Sequence, residues 1–182
     1  MDKRAKRNGT TPLRVVIYVL VVLLVASFQI GFFGKVNFFG AVPSLLLALT
    51  AAAAFFDGTN TGVAVGCGAG LCADSIGSFG VKFSALIYAL IGFFIGAIFG
   101  ERAKTKPSSM LADWSLALLI TVVVGEIVTI LNMVLSFGKF ELGKALLYII
   151  LPEAIGTYIF GFLAFPIYLL VYKNRFSEKY KQ

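Results

Sequence analysis

Long apolar runs bounded by charged or Gly-rich segments are the feature that most constrains this chain. The six runs cover residues 15–33, 42–56, 61–73, 83–99, 111–135 and 145–172. Apolar residue types make up 59% of the 182 residues and charged types 14%, whereas charged types make up about 25% of an ordinary soluble domain. A soluble protein of this size leaves about a third of its unfolded area in water, so it cannot hide so much apolar surface. The sequence therefore predicts an all-α, polytopic membrane protein, with a six-helix bundle as the single domain in residues 15–172.

The second and third runs are short for a membrane span. The third run would reach about 20 Å as a helix, against about 30 Å of hydrocarbon. These two runs are expected to cross as short helices or to form a re-entrant hairpin, and other parts of the protein must cover their backbone in either case. The sixth run contains Pro152 and Pro166 and is expected to be kinked.

The distribution of basic residues predicts the orientation. Residues 1–14 form a basic arm and residues 173–182 a basic tail. Six spans would place 12 of the 16 Lys and Arg residues on the same side of the membrane as the N-terminus. The other four lie on the opposite side and are Lys35, Lys82, Lys139 and Lys144. Because loops rich in Lys and Arg stay in the cytoplasm, both termini are predicted to be cytoplasmic. Anionic membrane lipid accounts for the net charge of +7, so no nucleic acid is expected as a partner.

The composition argues against most enzyme classes. The chain has no His, so it has no imidazole base for a Ser or Cys nucleophile and no His metal ligand. Cys67 and Cys72 lie five residues apart and face different sides of a helix. Asp57 and Asp74 fall near opposite ends of the second and third runs, so they do not suit an aspartyl protease, which needs a tight pair. No catalytic, cofactor-binding or metal-binding residue is predicted.

Glycines at every fourth position form two stripes. The first is Gly58, Gly62, Gly66 and Gly70, and the second is Gly92, Gly96 and Gly100. This spacing places each stripe on one face of a helix, where another backbone can approach closely. The stripes are predicted to pack within the chain or to meet a partner helix or a second copy. We expect the first stripe to be internal and the second to be the more probable partner surface.

Polar residues within the apolar runs are further candidate sites. Glu126 shares a stripe with Thr121, Gly125, Thr129 and Asn132 in the fifth run, and Glu153 precedes Gly156 and Thr157 in the sixth. Carboxyl groups are costly in lipid, so both Glu126 and Glu153 are expected to face the bundle interior. The two carboxyl groups are interpreted either as forming interhelical hydrogen bonds that fix packing or as part of a ligand or ion site.

Asp74 follows the third run, where the helix dipole disfavours a carboxylate. A structural role explains it best: the side chain is expected to accept backbone N–H groups of its own turn or to pair with Lys82.

Several segments together resemble one protein family. They are Pro43-Ser44-Leu45-Leu46-Leu47, Gly66-Cys67-Gly68-Ala69-Gly70-Leu71-Cys72-Ala73-Asp74, Phe79-Gly80 and Ala85-Leu86-Ile87-Tyr88-Ala89-Leu90-Ile91-Gly92. This pattern over residues 43–92 resembles MreD, the rod-shape-determining membrane protein of bacteria, with Pro43 and Asp74 as motif residues. Ser44 departs from the Asp or Asn that the family often has there.

The resemblance implies a non-enzymatic role in peptidoglycan synthesis at the bacterial cytoplasmic membrane. MreD-like proteins bind MreC, a single-span protein, and act with RodA, a class B penicillin-binding protein and MreB filaments. The implied fold is similar to the substrate-binding subunits of energy-coupling-factor transporters. A vitamin-capturing subunit of that kind is the alternative function. The first helix has one alanine, Ala26, where those subunits carry several for docking, and the outer loops are short. Both features favour the scaffold.

Overall fold

The apolar runs fold into a helical bundle. The computed structural model describes residues 12–33, 35, 41–76, 83–100, 109–137 and 142–169, and the predicted all-α class is confirmed for them. Helix α1 is Pro12–Phe28 and continues as a π-helical turn over Gln29–Phe33; α2 is Leu45–Asp57, α3 is Thr59–Ile76, α4 is Ser84–Phe99 and α5 is Met110–Phe137. Helix α6 consists of Leu142–Ala145, a π-helical turn over Leu146–Ile150, and Leu151–Leu163.

Three of the described helical segments are long and apolar enough to cross a membrane. They are Val16–Phe33, Met110–Leu135 and Gly143–Leu169. Helices α2 and α4 are apolar and shorter. The chain is therefore a membrane protein.

Helix α2 lies at the centre of the bundle. Every residue from Leu46 to Phe56 is buried, and α2 packs against α1, α3, α4, α5 and α6. Its run of four alanines, residues 51–54, lets these neighbours approach closely. The backbone of a short segment inside the membrane must be covered by protein, and the helices around α2 provide that cover.

Two apolar clusters form on opposite sides of α2. One joins α2 to α4, α5 and the end of α6 through large aromatic side chains, and the ring of Trp114 lies 5.4 Å from that of Phe55. The other joins α2 to α1 and α3, where Ala26 of α1 is buried. Helix α1 therefore uses its one alanine at a contact inside the bundle.

Helix α3 is longer than the third apolar run. It has 18 residues, about 27 Å of helix, because polar residues at both ends of the run continue the helical hydrogen bonding. Helix α3 is thus longer than predicted but still shorter than about 30 Å of hydrocarbon. Helix α2, with 13 residues and about 20 Å, is the shorter of the two. Gly58 joins α2 to α3 with a φ of 96°, a left-handed conformation that favours glycine.

Helix α6 is irregular next to both of its prolines. The π-helical turn Leu146–Ile150 comes directly before Leu151 and Pro152, and a turn at Ala164 precedes Pro166. A proline lacks the N–H that a regular helix needs, so these interruptions have a local cause.

Candidate functional site

The two glycine stripes pack against each other. A Cβ atom added at Gly62 would lie 2.8 Å from the carbonyl oxygen of Gly92, and one added at Gly96 would lie 2.5 Å from the Cα of Thr59. Both stripes therefore pack within the chain, which is one of the two alternatives that the spacing predicted. The expectation that the second stripe is the more probable partner surface is wrong, because α3 already occupies that face of α4. Each stripe is the docking surface for the other.

The same close approach continues towards the end of α3. A Cβ atom at Gly66 would overlap the carbonyl group of Tyr88, and one at Gly70 would overlap the backbone of Ala85. Real Cβ atoms do not approach backbone atoms so closely, so only glycine fits at these positions. Helices α3 and α4 are therefore an antiparallel pair held by backbone contact over their whole shared length.

Gly58 and Gly100 differ from the rest of their stripes. Gly58 lies in the turn before α3, and Gly100 follows the last residue of α4. A Cβ atom at Gly100 would lie 3.4 Å from the Cα of Gly58 and 2.5 Å from the carbonyl oxygen of Gly96. These two glycines close the end of the α3–α4 pair, and neither lies on a helix face.

The beginning of α2 forms a polar cluster inside the bundle. The backbone N–H of Ser44 donates to Oγ1 of Thr157 in α6 at 2.8 Å, and the N–H of Leu46 donates to Oε1 of Gln29 at 3.2 Å. The first N–H groups of any helix lack partners within it. Side chains from α1 and α6 provide those partners here, and they fix α2 between both helices.

The motif residue Pro43 and its neighbour Ser44 complete this cluster. A Cβ atom at Gly156 would lie 2.8 Å from Cγ of Pro43, so the proline ring fits against a helix that has no side chain at that point. The hydroxyl groups of Ser44 and Tyr88 lie 3.1 Å apart in a hydrogen bond. Ser44 therefore bonds within the chain, to α4 through its side chain and to α6 through its backbone.

Asp74 caps the next helix. Its Oδ1 accepts the N–H of Ser84 at 3.1 Å, and its Oδ2 accepts the N–H of Ala85 at 3.4 Å. These donors begin α4, ten and eleven residues further on. The turn of Asp74 that was predicted to supply donors includes residues 77–80, which lie outside the described residues. Lys82, the predicted alternative partner, lies outside the described residues. A carboxylate at a helix N-terminus is favoured by both hydrogen bonding and the helix dipole.

The three polar residues predicted to be buried are only partly so. Glu126, Asn132 and Glu153 all have intermediate exposure. Glu126 and Glu153 lie close enough to interact electrostatically. Oε2 of Glu126 is enclosed and has no hydrogen-bond partner among the described residues. Glu126 and Glu153 therefore differ from Thr157, whose hydroxyl is buried and accepts the N–H of Ser44.

Gln29 and Tyr88 belong to the polar cluster, but sequence analysis did not select them as site residues. A single amide in the otherwise apolar first run was the available signal for Gln29. Tyr88 lies in one of the segments that carry the resemblance, but a Tyr in an apolar helix is common at the membrane boundary, so it did not stand out. Both Cys67 and Cys72 are free, and Cys67 is exposed. No group of three side chains suited to a metal lies within the described ranges.

The arrangement as a whole joins helices through hydrogen bonds and backbone contact. Its polar groups tie α2 to α1, α4 and α6, while Asp74 and the glycines tie α3 to α4. Comparisons of this chain with protein families, curated proteins and solved structures find no match.

Proposed function

We propose that this chain is a non-enzymatic membrane scaffold of the MreD type, which supports cell-wall elongation and rod shape. It would lie in the bacterial cytoplasmic membrane with both termini in the cytoplasm and bind an MreC-type single-span protein. Through that partner it would serve a machinery that includes RodA, a class B penicillin-binding protein and MreB filaments. The resemblance over residues 43–92 is the basis for this family.

The observation that carries the proposal is how residues 43–92 use their side chains. Pro43 packs on Gly156, the glycines bring α3 and α4 into backbone contact, and Asp74 caps α4. The features that resemble the family thus have structural uses in the centre of the bundle. These uses are structural and not chemical, which supports a protein that acts as a scaffold.

The surface of the bundle also supports a binding role. Within the chain, 17% of Val16–Phe33 and 17% of the most apolar 18-residue stretch of Met110–Leu135 are buried. Helices α1 and α5 therefore present most of their apolar side chains to lipid or to partner helices. Because the two glycine stripes of α3 and α4 pack on each other, a partner helix would bind through another surface.

Affinity purification from native membranes tests the proposal. We expect the chain to recover a single-span protein with a large outer domain, and depletion of the chain from a rod-shaped host to give round or swollen cells. Rods that keep their shape, together with a purified chain that recovers no such protein, would contradict the scaffold function.

The alternative is a vitamin-capturing subunit of an energy-coupling-factor transporter. The observation in its favour is the group of polar side chains at the beginning of α2, with Glu153 near it in α6. Mass spectrometry of the purified protein tests this alternative. A bound vitamin, with a vitamin requirement in depleted cells, would support the transporter and contradict the scaffold.

A further inference from the structure

Two acidic residues on neighbouring helices take part in none of the helix-joining contacts described above. Glu126 is in α5 and Glu153 in α6, and these two helices pack against each other. Gly125, next to Glu126, and Gly156, one turn after Glu153, both pack against residues 43–47 at the beginning of α2. The two carboxyl groups therefore lie beside the buried start of α2, one on each of the helices that flank it.

Both carboxyl groups lie at membrane depth. Helix α5 has 28 residues, and Glu126 lies about 4 Å from its midpoint. Glu153 lies about 5 Å from the midpoint of the apolar segment Gly143–Leu169. If these segments cross about 30 Å of hydrocarbon, both side chains begin well inside it. A charged carboxyl group is costly there unless it is paired.

One oxygen of Glu126 indicates which ligand fits. Its Oε2 is enclosed by the chain and closed to water, and no described group donates a hydrogen bond to it. The charge that acts on Glu126 is the like charge of Glu153. An unpaired, desolvated carboxylate beside a second carboxylate is costly, and the group avoids this cost by taking up a proton. A proton needs no space of its own, whereas a metal ion or an ammonium group does.

The surrounding helices supply no positive charge to the pair. Tyr88 of α4 lies within electrostatic range of Glu126 and Glu153, and also of Asp74 at the end of α3. Helices α2 and α4, which also pack against α5, contain no Lys or Arg. In α6, Lys144 lies nine residues before Glu153, about 14 Å along the helix axis. A proton can therefore neutralise this pair where the side chains of these helices do not.

The backbone around the pair is less regular and less covered than the rest of the two helices. Beyond Val122 every described side chain of α5 is partly or fully exposed. Helix α6 has its π-helical turn, Leu146–Ile150, shortly before Glu153. Turns of this kind interrupt the regular hydrogen bonding and are frequent at functional sites. The C-terminal half of α5 and the N-terminal half of α6 are thus the parts that can move apart with least loss of contact.

We propose that Glu126 is a proton-binding site and that its proton controls the contact between the C-terminal half of α5 and the N-terminal half of α6. With the proton bound, the pair carries at most one negative charge and the two helices stay together. When Glu126 gives its proton to water, two like charges act across the contact and the helices separate there. This device depends on neither the scaffold nor the transporter function.

Infrared spectroscopy of the purified chain tests the proton directly, because a protonated carboxyl group has a carbonyl band of its own. We expect this band in the parent chain at neutral pH and its loss in Glu126→Gln. Asp74→Asn is the matched control and should keep the band, since the Asp74 carboxylate accepts two N–H groups. A parent chain without the band, or a Glu126→Gln variant that keeps it, would overturn the proposal.

Spin labels test the movement in a chain whose two cysteines are replaced by alanine. Labels at Ile127 and Ile155 report on the halves that hold the pair, and labels at Leu119 and Leu163 report on the other halves; all four side chains are exposed. We expect the distance from 127 to 155 to increase as the pH is raised, because the pair then loses its proton. The distance from 119 to 163 should stay constant.

The variant Glu126→Gln separates this effect from a general response to pH. It cannot ionise at this position, so its distance from 127 to 155 should not change with pH. Circular dichroism defines the pH range in which the helices remain folded. Within that range, the proposal is wrong if the distance in the parent stays constant, if both label pairs move equally, or if Glu126→Gln moves as the parent does.

Discussion

Gly66 is a position at which α3 has no room for a side chain, because the carbonyl group of Tyr88 occupies the space where a Cβ atom would be. We expect Gly66→Ala to force α3 and α4 apart and to lower the free energy of unfolding by about 2 kcal/mol, as overpacking does elsewhere. The measurement is the midpoint of chemical or thermal unfolding in detergent.

Gly68 is the matched control for Gly66. It lies two residues away on the same helix, and a Cβ atom there meets nothing within 4 Å. Gly68→Ala should leave stability unchanged or raise it by about 0.5–1 kcal/mol, since Ala favours the helix more than Gly does. Equal destabilisation by both variants would show that the close contact of α3 with α4 does not decide the effect.

At the level of single residues, the spacing of the two stripes predicted contacts at their glycines and left the partners open. Spacing of four residues is a local property, so it marks a face of a helix. Which face meets it depends on how the helices pair in space. For the same reason the hydrogen bond of Ser44 to Tyr88 and that of the Ser44 N–H to Thr157 could not be read from the sequence, because their partners lie 44 and 113 residues away.

At the level of helices, Asp74 joins the end of α3 to the beginning of α4. We expect Asp74→Ala to lower the free energy of unfolding by about 1 kcal/mol, the usual effect of removing a capping side chain. Asp74→Asn keeps one oxygen acceptor and should lose less. Unfolding midpoints of the purified variants in detergent measure both.

Ser75→Ala is the neighbouring control for Asp74. The Ser75 hydroxyl is exposed and bonds to the carbonyl of Leu71 in its own helix. Its removal should change stability by less than about 0.5 kcal/mol. A loss at Ser75 as large as that at Asp74 would indicate that the end of α3 is sensitive to any substitution, and the capping role would be rejected.

Helix positions were predictable because the apolar runs mark them, but helix ends were less so. The run that predicts α3 stops at Ala73, while the helix continues to Ile76 through polar residues. Hydropathy identifies where a chain can lie in lipid, whereas a helix ends where its hydrogen bonding ends. The central position of α2 follows from its length, since a helix of 13 residues needs cover from protein.

At the level of the whole molecule, six consecutive helices and the distribution of basic residues predict one topology. An even number of spans places both termini on one side, and the larger share of Lys and Arg places that side in the cytoplasm. The structure supplies the helices, α1 to α6, and three segments apolar and long enough to span. Short α2 fits a six-span topology only because its neighbours enclose it.

Fusions to a reporter that works only in the cytoplasm test this topology. We expect activity when the reporter follows Gln182 or is inserted at residues 105–109, and none when it is inserted at residues 138–141. The insertion points lie on either side of α5, so a spanning α5 must place them on opposite sides of the membrane. Activity at both internal positions would contradict the crossing of α5. Activity only at residues 138–141 would keep the spans and reverse the orientation, so the partner's outer domain would then have to lie on the other side of the bundle.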